Sequence, residues 1–570
     1  MHRRRVLLPL VAVAVLVWPS FADADHGNAD EASPNMLHVA NLPPPAEFLA
    51  CDRVIAPAPA LCFNSDLAFW DGGGVRGGFP KLLAQGNYEG IRLVDVADPA
   101  SPRQISALEC RGNQGDVSFY QARNRLLLIQ SIEEPVSNDD CATARENPPV
   151  LGTNPVTNLP GLFRLKGHEG LRIFDVTNPR APRHIATVRT ACGSHTHTTI
   201  RDDRNQRAIV YVSSYPSGQR VTRREDFATL PQQPNCIPDH NKISIVEIPD
   251  RAPEAAHVLK EQPLDADTVT WNSTGNGGSA VRGCHDITVF EFSDSKKVAG
   301  AACLSEGQLW DVSDPANPTT AVPGRHTHIR NPFITTSPAP PFTGLWHTAS
   351  FSWDGRIVLF TDEWQGGGAH GCDGPQDTRG NTWFYDNVPP GAPTPLRGRY
   401  ILPRPQPATE ACTQHNGNVI PTNEGYFGVS SAYQAGTTVF DFSAVKSFPP
   451  IMTPDPSVPP PTVATEIAFF DAKNDPPPPT GIDDAWSTYW HNDYVFASSG
   501  LTNASPTRPG ARGLDVYLLL GQHGRLVEEP GIPAVTAGET DATPGVQQYR
   551  ARKFRYQNPQ TQEVFQNLGR

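Results

Sequence analysis

Three stretches of the chain alternate apolar and polar residues in the same way and end on the same turn: GIRLVDVADPASP (Gly90 to Pro102), GLRIFDVTNPRAP (Gly170 to Pro182) and GQLWDVSDPANP (Gly307 to Pro318). Each is a short β-branched and aliphatic run closed by an acidic residue. Asp-Pro or Asn-Pro follows, with a second proline three residues on. That order predicts strand, tight turn, strand. Looser copies at KISIVEI (Lys242 to Ile248), GNTWFYDN (Gly380 to Asn387), GTTVFDFS (Gly436 to Ser443) and ARGLDVYLL (Ala511 to Leu519) bring the number to seven. The acidic positions Asp95, Asp175, Glu247, Asp311, Asp386 and Asp441 recur at intervals of 80, 72, 64, 75 and 55 residues. Such intervals hold one four-stranded unit plus variable loops, and no long stretch of helical period follows the first twenty residues.

The strand with its DP-x-x-P turn resembles the repeat of the LVIVD-repeat family of bacterial secreted β-propellers, over roughly Asn64 to Leu520. The resemblance implies an all-β, seven-bladed β-propeller built from LVIVD-type repeats, with long disulfide-tethered loops. It implies little about activity, which has to be argued from a site. With 58 prolines and 47 glycines, the composition suits many short strands and punctuated turns. The expected organisation is a signal peptide at 1–24, an N-terminal extension at 25–63 and the propeller at 64–520. A weakly patterned tail at 521–570 either stays partly disordered or covers the blades where the ring closes.

Arg3, Arg4 and Arg5 precede an apolar run from Val6 to Val17 and small residues at Ser20, Ala22 and Ala24, the order of a secretory signal peptide. No later segment reaches the length of a membrane span, so the mature protein is expected to be secreted or at the cell surface. Ten cysteines fit that oxidising compartment. Taken in order they pair locally as Cys51 with Cys62, Cys110 with Cys141, Cys192 with Cys236, Cys284 with Cys303, and Cys372 with Cys412. Sequence alone does not establish that connectivity, but the absence of any C-x-x-C speaks against a cysteine metal cluster. A net charge of −12 argues against a nucleic-acid partner, which would need a basic stripe on some face.

Upstream of each repeat strand lies a hairpin whose first strand should line the propeller channel. Four consecutive hairpins open on histidine, in SHTHTTI, CHDITVF, WHTASFS and QHNGNVI, giving His195, His285, His347 and His415. Equivalent ends of innermost strands converge at one mouth of the channel, so these four should become neighbours. His197, two residues after His195, projects to the same side by the strand period. The returning strands bring Glu306, Asp362 and Glu363 to the same mouth, along with Tyr215 and Tyr433. Imidazoles facing carboxylates suit zinc, copper, iron or manganese. On this reading His195, His197, His285, His347 and His415 bind the ion, Glu306 and Glu363 serve as ligands or general bases, and Asp286 and Asp362 orient the ligands. The arrangement resembles the carotenoid-cleaving oxygenases, which hold iron with four histidines on a propeller axis, in architecture alone.

A competing reading makes the histidines packing elements and the protein a non-catalytic module that binds a protein or glycan rather than a small molecule. Asp66, Asp116 and Asp484 stand near the same mouth in the remaining blades, as further ligands or as turn-forming carboxylates. His491 falls at the opposite rim, His168 in a loop, and His326 and His328 in a proline-rich connection with a surface role. The glycine-rich stretches Asp71 to Gly78 and Gln365 to Gly371 lack the Gly-Lys-Ser/Thr of a phosphate loop, and no G-x-S-x-G is present.

Overall fold

A computed structural model of the chain describes residues 31–520 apart from 49–62, 72–78, 134–140, 142–149, 154–159, 164–167, 216–239, 266–282, 331–345, 421–424, 473–484 and 501–512, and positions 80, 113, 294, 305, 323, 353, 368–369, 456 and 492–493. The expected signal peptide, the C-terminal tail, Cys51, Cys62, Cys236 and Asp484 lie outside these residues.

The repeat motif explains its own conservation of form within the chain. Its acidic residue caps the turn that follows: Asp95, Asp175, Asp311 and Asp441 each accept the N–H two residues on, at 2.8 to 3.1 Å. Asp95, Asp175 and Asp386 also pair with the arginines Arg103, Arg183 and Arg397 of the next strand. The glycine that opens the motif is needed at Gly170, where φ is +125° and a Cβ would lie 2.2 Å from the Val188 carbonyl oxygen.

Seven antiparallel sheets, six of four strands and one of five, surround one axis as a seven-bladed β-propeller. The innermost strands are Asn64–Trp70, Gln114–Ala122, Thr196–Asp202, Asp286–Ser293, Trp346–Phe351, Gly417–Ile420 and Ala485–His491, each touching the next around the ring. The motif strands, from Gly90–Asp95 in blade 1 to Leu514–Leu519 in blade 7, are third from the axis. Seven apolar clusters among the described residues each draw side chains from two adjacent blades, so the core lies between blades.

Blade 7 takes its outer strand from the other end of the chain. Met36–Leu42 pairs antiparallel with Leu514–Leu519, and Glu31–Ala32 adds a fifth strand to blade 6. The stretch read from sequence as an extension thus contains the strand that closes the ring. Cys110–Cys141, Cys284–Cys303 and Cys372–Cys412 are disulfides, as expected. Cys192 is also disulfide-bonded. No helix among the described residues is long and apolar enough to cross a membrane.

Candidate metal centre

At the mouth where the innermost strands begin, every blade contributes to one small cavity: Ser65 and Asp66, Gln114 and Asp116, His195, His285, His347, His415, and Trp486 in blade order. Local irregularity aims these side chains inward. In blades 1, 2, 5 and 7 a β-bulge falls on the mouth residues, between Asn64 and Leu67, Gln114 and Val117, Trp346 and Ala349, and Ala485 and Ser487. In blades 3, 4 and 6 the regular strand starts just after the histidine.

The four expected histidines form an unbroken arc, with ring centroids 4.1 Å apart from His195 to His285, 3.9 Å from His285 to His347 and 4.1 Å from His347 to His415. Glu363 reaches into the arc, its carboxylate 3.7 Å from His347 Nε2 and 3.6 Å from His415 Nε2. Ligand atoms of His285, His347 and Glu363 all lie within 4.8 Å of one another. One ion can therefore touch all three.

The outer histidines are held in one tautomer. His415 Nδ1 donates to the Trp486 carbonyl, and His195 Nδ1 lies 3.1 Å from the Glu133 carboxylate, with the Tyr215 hydroxyl beside the same ring. An acceptor on Nδ1 leaves Nε2 with its lone pair, as metal-binding histidines require. Burial, then the charges of neighbouring histidines, pushes His285 and His347 well below the usual imidazole range, and burial lowers His415 to about 3. Glu363 moves the other way, up to about 8, through burial and the charge of Asp362, although the Tyr433 hydroxyl donates to it. His285, His347 and His415 are thus held as neutral imidazoles, with lone pairs free to bind a cation.

Three expected participants do other work. Glu306 is bonded to His328 Nδ1 at 2.8 Å and to the Gln308 amide, in a separate group on blade 4. The residue that follows the second strand, which in blade 5 is Glu363 and in blade 2 is Glu133, is in blade 4 Leu304; Glu306 already opens the third strand. His197 does share the side of His195, but below the mouth that side is the packing face against blade 2. Its ring nitrogens meet the hydroxyls of Ser118 at 2.7 Å and Ser131 at 2.8 Å, with Asp116 beside Nδ1, which removes it from the ligand set. Asp286 accepts from the Ile287 N–H and the Thr196 hydroxyl, so it orients no imidazole. Asp362 accepts the Gly380 N–H and acts on Glu363 through its charge. Glu133, absent from the expected set, was legible as the blade 2 counterpart of Glu363.

His491 lies at the far end of its strand, stacked on Phe69 and 3.2 Å from Asp71, and His168 bonds the Leu171 carbonyl. Asp66 and Asp116 do line the mouth. Burial and the charge of Asp116 push Asp66 well above the carboxylate range, against the hydrogen bonds from Tyr489, the Leu67 N–H and Ser487. A raised pKa means the folded state holds the proton more tightly than the unfolded chain. The stability tied to it is complete below the unfolded value near 3.8 and is lost as pH rises through the folded one. Asp66→Asn keeps an acceptor for Tyr489, and Asn416, whose Oδ1 has no partner among the described residues, can turn its amide to receive the new donor. Urea unfolding should show the variant more stable than the parent at pH 8, by at least about 1 kcal/mol, and by clearly less at pH 4. Equal stability at both pH values would refute the assignment.

No protein-family model matches the sequence, and no curated protein matches it. Among solved structures, the chain is similar in fold to hydrazine synthase from Kuenenia stuttgartiensis, at 9% identity and a TM-score of 0.41, covering 74% of this chain and 90% of that one. It is also similar to a protein from Lactobacillus plantarum, at 9% identity and 0.40, over 77% and 88%. A third is the Cps50 (Swd1) β-propeller domain of Myceliophteria thermophila, at 9% and 0.38, over 77% and 94%.

Proposed function

We propose that the protein is an exported propeller of the LVIVD-repeat kind whose channel mouth holds one divalent transition metal, serving a reaction on a small extracellular compound. The observation that carries this reading is the buried arc of four histidines closed by Glu363. His285, His347 and Glu363 would hold the ion, with His195 and His415 supplying further nitrogens. Two or more imidazoles with one carboxylate suit zinc, iron, copper or manganese. Bound there, such an ion polarises an oxygen ligand or lowers the pKa of a bound water. Glu363 would bind the ion as the carboxylate, the cation taking the place of the proton that burial otherwise favours, with the Tyr433 hydroxyl donating to it. Tyr215 and Trp486 wall the mouth beside the outer histidines. The disulfides Cys110–Cys141, Cys284–Cys303 and Cys372–Cys412, and Arg3 to Arg5 ahead of the apolar run, support export.

Elemental analysis of tag-free protein from an exporting host tests the centre. The parent should carry one more equivalent of metal per chain than His347→Ala/His415→Ala, with circular dichroism showing the variant folded. Equal metal content in the two, after incubation with zinc, copper, iron and manganese, would overturn the proposal and leave the propeller faces as the surface to test for a protein or glycan partner.

A further inference from the structure

The group that captures Glu306 has the makings of a site of its own. His326 and His328 stand two apart on the outer strand His326–Arg330 of blade 4, so both rings project from one face. Their Nε2 atoms approach to 2.8 Å. His326 Nδ1 lies 3.2 Å from the Val322 carbonyl, which can only accept, so that nitrogen carries the hydrogen. His328 Nδ1 lies 2.8 Å from a Glu306 oxygen that already receives the Gln308 amide, so it too is a donor. With both Nδ1 atoms donating, the two Nε2 atoms turn their acceptor sides toward each other, the disposition in which a single cation can be held by both rings.

Asp265 supplies a third acceptor, its Oδ2 3.5 Å from His326 Nε2, and ligand atoms of Asp265, His326 and His328 all fall within 4.8 Å of one another. We infer that these three residues form a second divalent-metal site, of the zinc class, bridging blades 3 and 4.

The surroundings match what a metal site needs. Each imidazole has an acceptor on its remote nitrogen, which sets ring orientation and tautomer. Asp265 follows the outer strand of blade 3, His257–Pro263, and is pinned at both backbone groups: its N–H donates to the Thr320 carbonyl at 3.2 Å and its carbonyl accepts from Gln308 at 2.8 Å. Gln308 is in turn oriented by the Trp310 indole at 2.7 Å. The side chain of His326 is 2% exposed, that of His328 24% and that of Asp265 42%, so the set opens to solvent on one side and leaves a position for water. Two imidazoles and one carboxylate favour zinc over calcium or magnesium, which prefer all-oxygen shells. The third candidate group, His370 with Cys372 and Cys412, is already committed as a disulfide.

The test uses the full chain in the His347→Ala/His415→Ala background, which silences the channel mouth. Stripped with chelator and titrated with zinc chloride by calorimetry, this protein should bind one equivalent, and cobalt(II) should give the visible bands of a four-coordinate ion. Adding His328→Gln should weaken zinc binding by at least about a hundredfold. Asp265→Asn, a change at a half-exposed position that spares the fold, should weaken it by at least tenfold, and Glu306→Gln by about 10–100-fold. No zinc binding by the background protein would overturn the site and leave a proton shared between the imidazoles as the cation. Zinc affinity unchanged by Asp265→Asn and His328→Gln would overturn it equally.

Discussion

A chain that begins at Pro43 should not fold cooperatively. The deletion removes Met36–Leu42, the outer strand of blade 7, with its backbone ladder to Leu514–Leu519. It also removes the 2.7 Å contact of His38 and the 3.0 Å bond of Asn41 to Asp515, and the 2.8 Å bond from the Leu520 N–H to the Asn35 carbonyl. Ladder and side-chain bonds at about 1 kcal/mol each, plus burial of Met36 at about 2 kcal/mol, sum to the order of 7 kcal/mol. That is comparable to the whole stability of a typical domain, about 5–15 kcal/mol. The cost is compounded because Val516 and Leu514 belong to the cluster that joins blade 7 to blade 1, and the stripped strand presents an open edge. Size-exclusion chromatography and urea unfolding should show aggregated or non-cooperative material, and a synthetic peptide of residues 31–45 should restore part of the transition. A truncated chain that unfolds at the parent's urea midpoint would show that the ring is closed by other contacts.

Replacing Arg404 with methionine should cost about 3–5 kcal/mol. Arg404 lies beyond the outer strand of blade 5, with its side chain 3% exposed, and reaches two carboxylates of blade 6: Glu466 at 3.0 Å and Asp471 at 2.7 Å. It donates to the Ala435 carbonyl at 2.9 Å and covers the Phe469 ring at 4.2 Å. Two buried carboxylates share this cation. Without it, both must be protonated or stay charged in a dry interior, whereas methionine fills much of the volume and keeps the apolar stem. The penalty therefore belongs to the abandoned charges. Adding Glu466→Gln and Asp471→Asn to Arg404→Met should recover more than half of it, measured as urea midpoints in a mutant cycle. A loss below about 1 kcal/mol in the single variant would show that water reaches the triad.

The candidate site was legible to the extent that it obeyed the strand period. His195, His285, His347 and His415 each lie at the start of a recognisable strand or within two residues of it, so aligning the hairpins placed them together. Glu363 followed from the same alignment because the returning strand IVLFTD (Ile357–Asp362) leads directly to the mouth. Glu306 did not, because a two-residue turn separates the second strand of blade 4 from the third and the glutamate falls on the far side of it. His197 shows a different limit: parity along a strand says which residues share a side, while the depth at which that side stops facing the channel and starts packing on blade 2 depends on the ring. His326 and His328 were hidden by the prolines around them, since nothing local signals that Pro318 to Arg325 delivers an outer strand back to blade 4.

Seven copies of a strand and turn, with their capping acids and opening glycines, are local features, and local hydrogen bonding and φ preferences were enough to determine the repeat, the all-β class and the four histidines that begin successive hairpins. Which residues meet was settled only by closing the ring. Closure recruits a strand from the opposite end of the chain, and it brings Glu133 of blade 2 to His195 of blade 3. It also sets Asp265 of one blade against the histidines of the next. These are contacts between segments far apart in sequence, where the deciding energy is burial between blades, and no local pattern encodes that.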